Sequence, residues 1–267
     1  MTVGKAIARP NRATRAVADV SPLSFIQPRY LRGLLFGFAL TQVSHAIADK
    51  TVLVGDALGQ SQAAQGPVTA LVVMTPCRFS MTLTQDQWLQ FNSPDLVFVA
   101  TKQLPNTLNA PHLWQAPSSN SAEWNFEKSA GLSEPWFGVM CESAGSFSAL
   151  TSQQLPSDSA IELQLLREAN DRKCPATLTD HGWGPTLLVG HPQTYTFESL
   201  KGGAKSSGFI IGYHDESRRL FSRITFCLMH NEQVLIGSAE SGSSAPLAIS
   251  VEGFEEIKTA VRSIAFE

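Results

Sequence analysis

The clearest hydrophobic pattern lies in the last third of the chain. Residues 219–230 alternate, with Leu220, Ser222, Ile224, Phe226 and Leu228 on one face and Phe221, Arg223, Thr225, Cys227 and Met229 on the other. A period of two is the signature of a strand. Asn231-Glu232 then supplies a turn, and residues 233–239 return as the second arm of a hairpin. Upstream, residues 208–213 read as a strand, Thr194-Tyr195-Thr196-Phe197 alternates, and Lys201-Gly202-Gly203 turns the chain. Downstream, Phe254, Ile257, Val261 and Ile264 are spaced 3, 4 and 3, which lines them up on one side of a helix. Glu255 and Glu256 come early in that helix and Lys258 and Arg262 late, the order its dipole favours.

Earlier segments are shorter. Residues 68–74 predict a buried strand ended by Pro76, and Arg78-Phe79-Ser80-Met81-Thr82-Leu83 places Phe79, Met81 and Leu83 on one face. Thr84-Gln85-Asp86-Gln87 has the form of a capping box and predicts a short helix through Trp88 and Phe91. Strands are expected over 96–101 and 137–141. A helix is expected over 158–170, capped by Ser157 or Asp158, with Ile161, Leu165 and Leu166 facing inward. Residues 103–122, with Pro105, Pro111, Pro117, His112 and Trp114, form a long polar loop. Residues 49–66, rich in Ala, Gly and Gln, read as a flexible leader. The expected fold class is therefore α+β: one domain over 67–267 with a mostly antiparallel sheet, a C-terminal amphipathic helix on one face and one further helix near 158–170.

The first 48 residues are of another kind. Residues 1–33 are basic, Leu34-Leu35-Phe36-Gly37-Phe38-Ala39-Leu40 opens an apolar stretch that runs to Val43, and Ala46-Ile47-Ala48 precedes Asp49. That order is the order of a signal peptide, with small residues where a signal peptidase requires them. A membrane span needs about 20 apolar residues, and the run from Gly33 to Ala48 is shorter and broken by Gln42, Ser44 and His45. The expectation is an exported protein with no transmembrane span in its mature form. The periplasm is the compartment that fits best, with secretion or the thylakoid lumen as alternatives.

Cys77, Cys141, Cys174 and Cys227 all follow this segment, at gaps of 64, 33 and 53 residues. An even count in an oxidising compartment predicts two disulfides. Three connectivities satisfy the count, and the spacing does not choose among them. No close pair suits zinc, and neither a metal nor another cofactor is expected.

Charge narrows the partners. The first 48 residues carry six Lys/Arg against one Asp, while the remainder carries 14 Lys/Arg against 22 Asp/Glu, a net of −8. An acidic body disfavours nucleic acid and anionic lipid. The chain of 267 residues contains no G-x-S-x-G elbow, H-E-x-x-H, P-loop or dinucleotide fingerprint. His181, His191 and His214 lie near Asp180, Asp215 and Glu216 in turn-like contexts, without the i+2 or i+4 pairing of ligands. Trp88 and Trp136 read as core. His112, Trp114 and Trp124, in or beside the long loop, are the candidate partner-binding residues, because exposed tryptophan is enriched where proteins meet.

The tail of a long strand, a turn, a partner strand carrying Val234-Leu235-Ile236-Gly237 and a closing amphipathic helix resembles the PsbP/Mog1-like group in element order. The strand Arg78-Phe79-Ser80-Met81-Thr82-Leu83 ahead of Trp88 resembles that group's opening strand. The likeness covers the final 70 residues or so and this opener; residues 103–176 and the four cysteines have no counterpart in it. It implies a non-enzymatic accessory or partner-binding role. The functional expectation is thus an exported binding protein, such as an accessory subunit or a protective inhibitor or immunity protein, with another protein as partner. The alternative is an exported hydrolase using Ser146, or a histidine with a carboxylate, in a site assembled on folding. N-terminal sequencing of the exported product should read from Asp49; a soluble cytoplasmic product that keeps its leader would contradict the export reading.

Overall fold

The computed structural model describes residues 50–55, 60–100, 111–116, 122–128, 132, 134–148, 160–201, 206–240 and 247–267. Residues 1–48, which read as a signal segment, the expected cleavage site and Asp49 lie outside the described residues, as do Ser157 and Asp158 and the expected turn at Gly202-Gly203.

The fold grows from three strands, β13 (Ser207–His214), β14 (Phe221–His230) and β15 (Gln233–Glu240), whose central residues are nearly all buried. The β14–β15 hairpin is the expected one. His230 pairs with Gln233 across the two-residue turn, and Asn231 takes the left-handed conformation (φ 55°) that asparagine tolerates. Around this centre a large, mainly antiparallel sheet runs in the order β12 (Tyr195–Lys201), β13, β14, β15, β9 (Trp136–Ser143), β6 (Leu96–Ala100), β5 (Gln87–Phe91), β2 (Gln60–Ala63). The hairpin β7 (His112–Gln115) and β8 (Trp124–Glu127) joins it through a parallel pairing of β8 with β15.

A second sheet, β1 (Lys50–Gly55), β3 (Val68–Met74), β4 (Cys77–Leu83) and β16 (Ala265–Phe266), is tied to one face of the first. β3 and β4 bury every second residue, as their alternation predicts. The disulfide Cys77–Cys141 fastens β4 to β9, and Gln233 Nε2 donates to the Pro76 carbonyl at 2.9 Å. Helix α2 (Val251–Arg262) lies against the same face. Ser250 caps it, accepting from the Gly253 amide, and Phe254 stacks on Phe221 with ring centroids 4.5 Å apart. The predicted stripe of Phe254, Ile257, Val261 and Ile264 is buried throughout. Lys258, on the same helix, is 5% exposed and is held by Glu198 at 2.7 Å and Glu255 at 2.5 Å. Burial works against its charge, but the two carboxylates outweigh it and hold its pKa above the usual lysine value.

The opposite face is covered by α1 (Ala160–Lys173) and the small hairpin of β10 (Ala176–Thr179) and β11 (Gly182–Pro185). The disulfide Cys174–Cys227 and a 2.6 Å hydrogen bond from Thr225 Oγ1 to the Lys173 carbonyl anchor the end of α1 to β14. Trp183 of β11 packs on Phe209 at 5.5 Å. Rings that lie over a neighbouring strand need small residues there: a Cβ at Gly237, the cross-strand partner of Phe226, would lie 2.0 Å from Phe226 Cζ, and one at Gly138 1.9 Å from Phe126 Cδ1.

Several expectations need correction. Residues 50–55 and 60–63 of the supposed leader are strands: β1 pairs in parallel with β3, and β2 pairs with β5. Thr51, Val52 and Val54 supply the β-branched character that the Ala/Gly/Gln count concealed. The capping box does form its side-chain bond, with Gln87 Oε1 accepting from the Thr84 amide at 2.8 Å, but it closes a turn between β4 and β5. Asp86 sits at φ 69°, which no helix allows, and residues 87–91 are a strand gripped on both edges by β2 and β6. Helix α1 does not bury Ile161, which is 76% exposed, and Leu165 and Leu166 are only half-buried; its inner face is Arg167, Ala169 and Asn170. Part of the supposed loop over 103–122 is β7. Finally, Phe221 lies with Ile224 and Phe226. Phe221 pairs with His214 and Arg223 with Tyr213, so Ser222 is a bulge that turns Phe221 over.

Truncating Ile257 to Ala should cost about 2–5 kcal/mol, because the side chain is fully buried between helix and sheet. That is a large share of a typical net stability of about 5–15 kcal/mol. Urea unfolding checks the substitution. Deleting residues 252–267, which also removes β16, should leave an aggregating or protease-sensitive product. A deletion product that melts as cooperatively as the parent would show that the helix contributes little.

Candidate functional site

A cleft of about 220 Å³ opens where α1, β8, β14 and β15 meet, lined by Glu123, Trp124, Asn125, Ala169, Arg172, Lys173, Arg223 and Glu240. Each element delivers its side chain for a local reason. Asn170 of α1 is fully buried. Its Oδ1 accepts from Trp124 Nε1 at 3.2 Å, and its Nδ2 donates to the Ser146 carbonyl at 3.1 Å. Arg167 Nε donates to the Gly145 carbonyl at 2.9 Å. These bonds, with the disulfide that follows Lys173, fix the last turn of α1 and aim Arg172 and Lys173 into the cleft. Cations in that turn also suit the helix dipole.

Lys173 Nζ contacts the Glu240 carboxylate and Asn125 Oδ1, and it lies 5.2 Å from the centroid of the Trp124 ring. Lys173 and Glu240 side chains are only 12% and 14% exposed. Burial pushes the Lys173 ammonium below the usual lysine pKa; Glu240 opposes this, and the nearby Arg223 charge adds to it. Arg223 is the cross-strand neighbour of Glu240, and its guanidinium lies over the Tyr213 ring, 3.7 Å from the centroid. Burial pushes the Tyr213 phenol up, against the pull of Arg223. At the rim, Arg172 and Glu123 form a 3.7 Å ion pair that is more than half exposed, so its own contribution is small. The cleft offers fixed charges, an amide and an aromatic wall, and among the described residues no Ser, Cys or His lines it. Such an arrangement can hold a small charged group.

Of the residues singled out from sequence, Trp124 belongs to this cleft, but as a wall that is 3% exposed and not as a surface ring. Trp114 is 38% exposed, and His112 is exposed. Trp114 pairs with Asn125 and Trp124 with Gln115, so the two tryptophans project from opposite sides of the β7–β8 hairpin. They do not form one patch. Lys173, Arg223 and Glu240 were missed. The available signal was Arg223 itself, a charge in the middle of a strand whose neighbours Thr225 and Cys227 had to be buried.

The other candidates are dispersed. Ser146 Oγ lies 3.0 Å from Glu142 Oε2 and 2.6 Å from the Ser143 carbonyl, closing a local turn. Burial raises the Glu142 carboxyl above its ordinary value. His214 Nε2 lies 3.1 Å from Thr196 Oγ1, with its ring stacked on Phe221. His191 Nδ1 accepts from the Gln193 amide, and His181 is exposed. Among the described residues no three His, Cys, Asp or Glu side chains are grouped to hold a metal ion, and no helix is long and apolar enough to cross a membrane. A second hollow, of about 330 Å³ near β1 and β2, has Lys50 in its lining.

Comparison with family models, with curated proteins and with solved structures gives no match to this chain.

Glu240→Gln should destabilise the protein by about 3–5 kcal/mol, since it strands the buried Lys173 charge. A lysine with a lowered folded pKa binds fewer protons folded than unfolded, so stability rises as pH climbs through that folded value. The deficit of the variant should therefore shrink towards alkaline pH. Chemical denaturation at neutral and alkaline pH checks both magnitude and sign; an equal deficit at both would show that Lys173 is not the cause.

Proposed function

We propose that this chain is an exported, disulfide-stabilised binding protein that serves as an accessory subunit or a protective inhibitor. Its partner is another protein, and the periplasm is the compartment that fits best. The observation that carries this reading is the cleft of Trp124, Lys173, Arg223 and Glu240, whose groups are suited to holding a charged group and not to activating a nucleophile. Export is supported by the two disulfides, Cys77–Cys141 and Cys174–Cys227, which persist in oxidising compartments. The order β14, turn, β15, α2 accords with the resemblance to the PsbP/Mog1-like group and hence with an accessory role. Against a hydrolase stands the environment of Ser146, whose hydroxyl is bonded to Glu142 and to its own turn.

The test is affinity capture with the exported protein as bait in its native compartment, run beside Arg223→Glu. A partner protein retained by the parent and lost with the variant is the expected result. Retention that ignores the charge reversal would move the binding surface elsewhere. No retained protein, together with turnover of an ester or peptide substrate, would replace the binding reading with the hydrolase.

A further inference from the structure

We propose that the cleft is a socket for a single carboxylate, the side chain of an aspartate or glutamate presented by the protein partner; this rests on the binding reading above. Three observations converge on it. The first is charge. Among the described residues the lining carries three cations, Arg172, Lys173 and Arg223, against two carboxylates, Glu123 and Glu240, a surplus of one. That surplus sits in a body whose residues after 48 sum to −8 (14 Lys/Arg against 22 Asp/Glu). A positive recess in a negative surface draws an anion to one place.

The second is the state of each cation. Lys173 is satisfied by Glu240 and Asn125, and Arg172 reaches Glu123. Among the described residues Arg223 makes no ion pair; its guanidinium lies over the Tyr213 ring, 3.7 Å from the centroid. A guanidinium held on a ring is a donor that can receive the two oxygens of a carboxylate. Glu240, beside Arg223 across the strands, is already engaged by Lys173. Two neighbouring cations thus have one internal carboxylate beside them, taken by Lys173, and a second carboxylate would complete the set.

The third is size. A cleft of about 220 Å³ is smaller than the ~300–1,000 Å³ typical of pockets for whole small molecules. It suits the head of one side chain, with the rest of the partner lying outside.

Propionate reproduces a glutamate side chain, and propionamide is its uncharged control. The readout is the Trp124 indole N–H resonance of the exported protein, assigned with Trp124→Phe. Propionate should shift it saturably with a Kd on the order of 1 mM, as for weak single-group ligands, and propionamide should not. Arg223→Gln should weaken propionate binding about tenfold or more, the loss of one charge-assisted hydrogen bond. Glu240→Gln should strengthen it, because the internal competitor is gone; an ion pair with only a structural role gives no such gain. If Glu240→Gln does not fold, the propionate–propionamide contrast and Arg223→Gln decide the matter. Equal shifts from both probes, no shift, or weaker binding to Glu240→Gln would overturn the proposal. A captured partner that propionate does not displace would overturn it too, while leaving the binding reading intact. Propionate binding by a protein that retains no partner would overturn the protein side chain as the source.

Discussion

The burial of both faces of β13, β14 and β15 is the constraint on which the rest of this structure depends. A strand pair open to water on one side needs only one layer beneath it; three strands with apolar residues on both sides need two. Phe226 and Leu228 point one way and Cys227 and Thr225 the other, and all four are buried. The chain answers with a second sheet and α2 on one face, and with α1 and the β10–β11 hairpin on the other. Even the glycines follow from this, since Gly237 and Gly138 make room for Phe226 and Phe126 on opposite faces.

The two covers are held by different physics. Helix α2 brings an apolar stripe, and its docking is mainly burial of hydrocarbon, with the enclosed Lys258–Glu198 pair fixing its register. Helix α1 has no such stripe. It is held by hydrogen bonds from Asn170 and Arg167, by Thr225 bonding to the Lys173 carbonyl, and by a disulfide immediately after its last residue. In the chain-entropy view, loops of 64 and 53 residues make the two disulfides worth about 4 kcal/mol each. For α1 that contribution stands in for the apolar area it lacks.

The cleft is a consequence of this polar docking. A helix held by an apolar stripe closes its interface against water. A helix held at its end by directional bonds leaves a recess, and here Lys173, Arg172, Arg223 and Glu240 line it. Fixing the helix end also fixes Lys173 in a partly desolvated position, where its charge matters more than on an open surface.

How much of this was legible in the sequence follows from the range of the interactions. Strands 219–230 and 233–239 and helix α2 were readable because period, turn residues and caps act over a few neighbours. The two-disulfide count followed from four cysteines, all beyond a segment that reads as an export signal. The pairing of Cys77 with Cys141 and Cys174 with Cys227 was not legible, since it depends on which strands end up adjacent. The Thr84–Gln87 bond was foreseen, yet it closes a strand turn, because pairing with β2 and β6 outweighs a single local bond. Phe221 changed faces through a bulge at Ser222 that no alternation rule contains. Trp124 was noticed but placed at the surface. Its burial and its company of Lys173, Arg223 and Glu240 come from residues up to 116 positions away, at Glu240. Local pattern determined the β14–β15 hairpin and α2; contacts between distant segments, set only when two faces of one sheet had to be covered at once, turned residues 50–55, 60–63 and 87–91 into strands and decided the cleft.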